Sequence, residues 1–380
     1  MSAAADFGIY VHWPYCAAIC PYCDFNVHRE RGHDSTALRA AIAEDLRAHA
    51  ARYGRRKAAS LYFGGGTPSL LSGEEVAELI AAARSAFDLA PDCEISLEAN
   101  PEHFARFAEF AGAGINRLSL GAQALDDAAL KALGRAHDAN TVKQAVESAA
   151  AAGLRVSLDL IYAREGQGSE AWRAELSEAL ALPIEHLSLY QLTIEPGTAF
   201  ARKLERGALR PPGLEEAAAL YELTQDTCAT AGFPAYEISN HARAPAARAR
   251  HNLLYWACAD WAGIGPGAHG RFSHDGARVA LESQRRPGDY IDAVREHGTG
   301  WLNQTELTPR EQADELLIMG LRVDEGVDVA RLQALRGEAL NAGAHAMLLE
   351  EGFLEDDAQR LRLTPRGRLV ANQIAAELAL

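Results

Sequence analysis

The first half of this chain alternates short apolar runs with longer amphipathic stretches, and this alternation constrains the fold more than any other feature. The longer stretches, such as residues 36–53 and 73–87, carry Ala, Leu, Ile and Val at helical spacing. Strands that alternate with helices predict a parallel sheet with right-handed crossovers, in either an open doubly wound sheet or part of a barrel. The six predicted strands are Phe7–Trp13, Ala59–Phe63, Glu94–Ala99, Asn116–Leu120, Arg155–Tyr162 and His186–Thr193.

Three of the six cysteines lie within eight residues, directly after the first predicted strand. Cys16, Cys20 and Cys23 have the spacing C-x3-C-x2-C, which predicts a metal site in a reducing compartment and not a disulfide scaffold. Thiolates ligate iron-sulfur clusters, and three of them leave one iron of a four-iron cluster open to another ligand. A single zinc ion is the alternative, with His12 or His28 as the fourth ligand.

Glycines and polar residues gather where the predicted strands end. Gly64-Gly65-Gly66-Thr67-Pro68 follows the second strand, Glu98 ends the third, and Gln123 follows the fourth. Parallel α/β folds build their sites at the carboxyl ends of strands, and glycines let a ligand approach the backbone closely. These residues are therefore expected to share one pocket.

The cysteine spacing, with Tyr22 before the last cysteine and Tyr10-Val-His-Trp-Pro before the first, resembles the radical S-adenosylmethionine (SAM) superfamily. The resemblance implies a partial (β/α)6 TIM-type barrel and a [4Fe-4S] cluster on Cys16, Cys20 and Cys23. It also implies that SAM chelates the open iron, from which a reduced cluster can release a 5′-deoxyadenosyl radical. The SAM contacts carried over from the family are Tyr10, Tyr22, Gly65, Gly66, Thr67, Glu98, Gln123, Arg135 and Asp159.

Along its whole length the chain resembles the coproporphyrinogen dehydrogenase group, which contains both oxygen-independent dehydrogenases and heme chaperones. Phe25 stands where the dehydrogenases carry a further cysteine, and Tyr10 lies close to the start of the chain. His251-Asn-Leu-Leu-Tyr-Trp256 matches the H-N-x-x-Y-W signature of the chaperones. The resemblance thus favours a heme chaperone with His251 as the heme ligand, whereas Cys258 and His269 are weaker candidates.

Such a chaperone would bind heme, pass it to heme-accepting proteins and need an electron donor for its cluster. Two alternatives stay open: an oxygen-independent coproporphyrinogen III dehydrogenase, and a radical SAM enzyme with an unrelated substrate. Whether the chain is an enzyme is therefore undecided by the sequence. One departure from the family is Ala163-Arg164-Glu165, which replaces the usual Gly-Leu-Pro at the expected lip of the site.

Three regions are predicted along the chain. Residues 1–210 form the barrel, 211–304 a middle α/β region with the heme-binding motif, and 305–380 a C-terminal winged-helix-like domain with a hairpin in 352–364. Winged helices often bind DNA, but the last region has 8 Lys and Arg against 14 Asp and Glu, and the whole chain has a formal charge of −15. Nucleic-acid binding is therefore not expected.

The chain shows no targeting segment before the first motif and no run of about 18 apolar residues. We therefore expect a cytoplasmic protein without a membrane span, in which contact with membrane proteins would be transient.

Overall fold

The computed structural model describes residues 7–30 and 35–379. In chain order its strands are β1 (Phe7–Trp13), β2 (Tyr15–Cys16), β3 (His28–Arg29), β4 (Lys57–Gly65), β5 (Asp88–Ala99), β6 (Arg117–Gln123), β7 (Arg155–Tyr162), β8 (His186–Gln191), β9 (Asn240–Ala242), β10 (Asp260–Ile264), β11 (His269–His274), β12 (Ala277–Ser283), β13 (Trp301–Glu306), β14 (Val327–Asp328) and β15 (Arg360–Leu361).

The helices are α1 (Ser35–Tyr53), α2 (Gly73–Ala86), α3 (Phe107–Ala113), α4 (Asp127–Ala132), α5 (Ala139–Ala151), α6 (Ser169–Leu180), α7 (Ala199–Glu205), α8 (Leu214–Thr230), α9 (Arg250–Trp256), α10 (Pro287–His297), α11 (Pro309–Gly320), α12 (Val329–Arg336), α13 (Ala342–Glu350), α14 (Pro365–Arg368) and α15 (Ala371–Ala379). Short 3-10 turns cover Pro68–Leu70, Pro101–Arg106 and Pro245–Ala247.

Six parallel strands form the centre of the main sheet, in the order β1-β4-β5-β6-β7-β8. This confirms the predicted α/β fold with a partial (β/α)6 barrel, and each predicted strand is present. Strand β1 is buried at six of its seven positions, as expected for a parallel strand covered on both faces. Because neighbouring strands run in the same direction, their carboxyl ends meet at one rim of the barrel.

The sheet continues beyond the six strands at both edges. Strand β10 runs parallel to β1, and the antiparallel strands β11, β12 and β13 follow it, while β9 pairs antiparallel with β8 at the other edge. The predicted middle region thus contributes strands to the same sheet as the barrel.

Local signals explain several helix boundaries. The hydroxyl of Ser72 accepts from the backbone N–H of Glu75, whose carboxylate accepts from the N–H of Ser72, so a capping box begins α2. Thr308 and Glu311 begin α11 in the same way. The predicted helical stretch 36–53 is α1, and 73–87 is α2 with its last residue outside the helix.

One stretch expected to be rich in loops is more regular than its sequence indicates. His251 to Trp256 belong to α9, which has no side-chain cap and only seven residues, and β10 follows it in the main sheet. So short a helix depends on tertiary packing for its stability, which a local pattern does not reveal.

The C-terminal domain has a hydrophobic core of its own, formed by α11, α12, α13 and α15 with residues such as Leu317, Leu332 and Ile374. Strands β14 and β15 pair antiparallel, and Leu354 bridges Leu363 where the hairpin was predicted. This arrangement of helices with a small β-element is the winged-helix-like domain that the sequence predicts.

Candidate functional site

A cavity of about 700 Å³ opens at the rim where the parallel strands end. Its inner end is lined by Cys16, Cys20 and Cys23, and its side wall includes the glycine motif after β4. Eight of the nine predicted SAM contacts line this cavity: Tyr22, Gly65, Gly66, Thr67, Glu98, Gln123, Arg135 and Asp159. The structure therefore brings the predicted cluster ligands and SAM contacts together in one place.

Two of the cysteine sulfurs accept hydrogen bonds from the surrounding protein. The Thr67 hydroxyl donates to Cys16 Sγ at 3.4 Å, and the Arg135 guanidinium donates to Cys20 Sγ at 3.3 Å. Burial raises the pKa of the Cys16 thiol, and it raises the pKa of Cys23 to about 11. A bound cation would remove these protons, because metal-ligating thiols are thiolates.

The glycine motif lets the cluster loop and β4 approach each other closely. Gly65 has a φ of +106°, and a Cβ at this position would lie 2.4 Å from the ring of His12. A Cβ at Gly66 would lie 2.7 Å from the carbonyl oxygen of Tyr15, while the Gly66 N–H donates to the carbonyl of Trp13 at 2.7 Å. A side chain at Gly65 would displace the His12 ring of β1, and one at Gly66 would push the start of the cysteine loop away from β4.

Two carboxylates lie in the floor of the cavity. Glu98 accepts from the Gly65 N–H and from the Tyr62 hydroxyl, each at 3.0 Å, and Asp159 accepts from the Ser119 hydroxyl at 2.9 Å. Burial raises the pKa of Glu98 to about 7, and the charge of Asp159 adds to this effect. Burial also raises the pKa of Asp159 to about 6. Each carboxyl group can therefore accept a hydrogen bond from a polar ligand in the cavity, or exchange a proton with it.

Tyr10, the ninth predicted SAM contact, lies one layer lower in the barrel. It lines a second cavity of about 280 Å³ inside the barrel, together with Tyr62, Glu98 and His251. The Tyr10 hydroxyl is 2.9 Å from His12 Nδ1, and His12 Nε2 is 2.9 Å from the carbonyl oxygen of Asn26. Tyr10 therefore reaches the cluster loop through His12.

His251 also lies in the barrel interior, and both of its ring nitrogens have partners. Nδ1 is 2.9 Å from the Ser60 hydroxyl, Nε2 is 2.8 Å from the Tyr255 hydroxyl, and the ring stacks on Tyr62 with centroids 4.9 Å apart. The residue is 2% exposed, and burial lowers its pKa to about 3. In this arrangement neither nitrogen is available to a heme iron, so the predicted heme ligand does not fit the group. Ligation through either nitrogen would require that nitrogen to give up its partner, Ser60 for Nδ1 or Tyr255 for Nε2.

The two weaker heme candidates lie outside the large cavity. Cys258 is buried in the hydrophobic core of the C-terminal domain, and His269 is an exposed residue at the start of β11. Neither is among the residues that surround the three cysteines.

The turn that departs from the family pattern is held by an ion pair below the rim. Arg164 donates to the buried carboxylate of Glu175, which also accepts from the Leu125 N–H at 2.7 Å. Ala163 is buried and has a φ of +57°, a conformation that favours glycine. The cavity lining includes Tyr162 but none of residues 163–167, so Arg164 and Glu165 do not form the lip of the site.

The outer wall of the large cavity carries three residues that sequence reasoning missed: Tyr221 on α8, Arg322 after α11 and Arg368 at the end of α14. They come from three separate segments in the last half of the chain, and no local motif marks them. The packing of α8 and of the C-terminal domain against the barrel brings them to the cavity.

The donor set at the inner end fits an iron-sulfur cluster better than a single ion. Within the residues that the structure describes, no three His, Cys, Asp or Glu side chains are close enough to hold one metal ion. A four-iron cluster binds each cysteine through a different iron, so its ligands lie further apart. Gly65 and Gly66 keep the adjoining backbone free of side chains.

Two protein families match segments of this chain. The model of the radical SAM superfamily matches residues 10–176, and the model of the HemN C-terminal domain matches residues 307–370. "Radical S-adenosyl methionine domain-containing protein 1, mitochondrial" of Bos taurus is 38% identical, covering 97% of this chain and 86% of that protein. "Heme chaperone HemW" is 35% identical in Mycobacterium tuberculosis, covering 98% of this chain and 94% of that protein. The HemW of Escherichia coli is 33% identical, covering 96% of each.

Among solved structures, coproporphyrinogen III oxidase (HemN) from Escherichia coli superimposes with a TM-score of 0.83. The match covers 99% of this chain and 90% of that one at 21% sequence identity, and at this identity it shows a shared fold. No helix in the described part of this chain is long and apolar enough to cross a membrane.

Proposed function

The chain belongs to the radical SAM superfamily, in the family that contains HemW and radical S-adenosyl methionine domain-containing protein 1, and we propose that it is a heme chaperone. The observation that carries this proposal is identity of 32–35% with bacterial proteins named heme chaperone HemW over at least 96% of this chain. In this proposal the protein binds heme, carries a [4Fe-4S] cluster with exchangeable SAM, and delivers heme to acceptor proteins.

Cys16, Cys20 and Cys23 would hold the cluster at the inner end of the large cavity. When bound and reduced, the cluster supplies the electron that can cleave SAM. Thr67 and Arg135 donate hydrogen bonds to the sulfurs of Cys16 and Cys20, which stabilises negative charge on those ligands. Glu98 and Asp159, with raised pKa values, would orient the polar groups of SAM.

The large cavity is also the best candidate for the heme site. Ligand pockets commonly measure about 300–1,000 Å³, and this cavity of about 700 Å³ lies at the upper part of that range. Its mouth is apolar and includes Phe25, which is 62% exposed, and Ile19, which is 41% exposed. An exposed apolar rim suits the face of a porphyrin and an acceptor protein that takes the heme away.

The proposal is tested by an anaerobic titration of hemin into cluster-reconstituted protein, after which unbound hemin is removed. We expect saturable binding of a single heme per chain, read from its absorption spectrum. A chain that retains no heme, with or without SAM, would exclude the chaperone. Conversion of coproporphyrinogen III to protoporphyrinogen IX with consumption of SAM would establish the dehydrogenase in its place.

A further inference from the structure

We propose that Arg322 and Arg368, with the hydroxyl of Tyr221, form a carboxylate-binding subsite in the outer wall of the large cavity, and that it binds the propionate edge of heme. This inference rests on the proposed heme-binding function and names the part of the cavity that recognises heme.

The guanidinium of Arg322 has no hydrogen-bonding partner among the residues that the structure describes. Its Nε is buried and unpaired, no described residue forms a salt bridge with it, and its guanidinium lies 5.1 Å from the centre of the Trp256 ring. A half-buried charge without a partner is unfavourable, and a carboxylate from a ligand would supply the missing acceptor. The Trp256 ring holds the planar group in place for such a ligand.

Arg368 is the second uncommitted cation of this wall. Among the described residues its side chain has neither an ion pair nor a hydrogen bond. Arg135, the other arginine of the cavity, is by contrast committed to Cys20 and to Asn100, with 2.6 Å between its Nη2 and Asn100 Oδ1. Among the described residues, Arg322 and Arg368 are thus the two arginines of this cavity whose side chains have no hydrogen bond or ion pair.

Tyr221 supplies an independent observation that a ligand belongs here. The residue lines the cavity and is only 8% exposed, and its buried hydroxyl has no hydrogen-bond partner among the described residues. Burial raises the pKa of Tyr221, the charge of Glu237 adds to this effect, and the charges of Arg368 and Arg322 oppose it. Both guanidinium groups are therefore within electrostatic reach of this hydroxyl.

The distribution of charge in the cavity fits an amphipathic dicarboxylate. The carboxylates of Glu98 and Asp159 line the cavity and would repel an anionic group, whereas the free arginines on its wall would attract one. Apolar side chains also line the cavity, and they could cover the body of such a ligand: Ile19, Phe25, Val27, Ile161, Leu189 and Leu192. A heme with its propionates toward the C-terminal domain meets both requirements.

The experiment compares hemin binding by cluster-loaded wild type, Arg368→Gln, Arg322→Gln and the double variant. The matched control is Arg366→Gln, because Arg366 is exposed on the same helix and donates to the carbonyl of Glu351. We expect the double variant to bind hemin at least about tenfold more weakly, while the control binds like wild type. Hemin dimethyl ester, which lacks the charged carboxylates, should bind wild type and double variant equally.

The outcomes separate the subsite from the proposed function. Wild type that retains no hemin would overturn the chaperone and, with it, this assignment. If the double variant binds hemin as tightly as wild type does, the subsite is overturned and the chaperone proposal is not. Unchanged cluster absorbance and SAM binding in the variants show that any loss is local, and recovery of hemin affinity in Arg368→Lys supports a role for positive charge.

Discussion

The imidazole of His251 is held between Ser60 and Tyr255 and stacks on Tyr62, so its replacement removes two buried hydrogen bonds and an aromatic contact. We expect His251→Ala to lower the free energy of unfolding by about 2–4 kcal/mol, as measured by chemical denaturation of cluster-loaded protein. His269→Ala is the control: this exposed histidine should change stability by less than about 0.5 kcal/mol.

The same variant separates a structural role from heme ligation. If His251 only supports the barrel interior, His251→Ala should reduce the amount of heme bound, because less of the protein is folded. The absorption bands of the heme that is bound should stay unchanged. A shift of the heme absorption bands at equal heme occupancy would instead identify His251 as an iron ligand, and it would mean that one ring nitrogen leaves its partner, Ser60 or Tyr255, when heme binds.

Individual residues differ in how far the sequence predicts their place. The meeting of Cys16, Cys20 and Cys23 in one cavity was predictable, because they lie within eight residues of one loop. The burial of His251 was not, because a seven-residue segment does not reveal which neighbours surround its helix. Arg322 and Arg368 were missed because their common feature, the lack of a partner, exists only in the folded chain.

At the scale of elements, the turn after β7 contains a conformation that its sequence does not favour. Ala163 has a φ of +57°, and a Cβ in the left-handed region is unfavourable by about 1–2 kcal/mol. Ala163→Gly should therefore leave stability unchanged or raise it by up to about 1 kcal/mol, because relief of strain exceeds the added backbone entropy of the unfolded chain. Thermal or chemical denaturation measures this directly.

A matched substitution in a helix sets the scale for this comparison. Ala219 is exposed within α8, so Ala219→Gly should destabilise the protein by about 1 kcal/mol through loss of helix propensity alone. If Ala163→Gly destabilises the protein as much as Ala219→Gly does, the left-handed conformation of Ala163 does not lower the stability of the folded protein.

The strands were the most predictable elements and the connections beyond them the least. Six apolar runs separated by amphipathic stretches predict parallel strands, because each run must be covered on both faces. Strand β10 was not predicted, since its five residues follow an aromatic segment and owe their place to pairing with β1. Its parallel register depends on a segment about 250 residues earlier in the chain, which no local pattern can encode.

For the molecule as a whole, the large cavity is a joint product of the barrel and the C-terminal domain. The barrel contributes the cysteines and carboxylates, and the C-terminal domain contributes Arg322 and Arg368. The predicted winged-helix-like domain thus has a role in forming the site, in addition to packing. The acidic composition of this domain argues against DNA binding. Its two free arginines line the cavity.

The buried carboxylates make stability of the whole molecule depend on pH in a definite direction. A glutamate in the unfolded chain ionises near pH 4.3, whereas burial raises the pKa of Glu98 to about 7 in the folded protein. Between these values the folded state holds the proton more tightly, so the contribution of Glu98 to stability falls as pH rises and levels off above about pH 7. Glu98→Gln removes this titration.

The free energy of unfolding of wild type minus that of Glu98→Gln should therefore fall by about 2–3 kcal/mol between pH 5 and pH 8. Denaturation of cluster-loaded, SAM-free protein at each pH measures this difference, and the subtraction cancels the titration of groups that do not interact with Glu98. A difference that stays constant or rises over this range would show that Glu98 ionises at least as readily in the folded protein as in the unfolded chain. SAM that hydrogen-bonds to ionised Glu98 would lower its pKa and flatten the difference, so the same measurement with SAM present reports whether Glu98 contacts it.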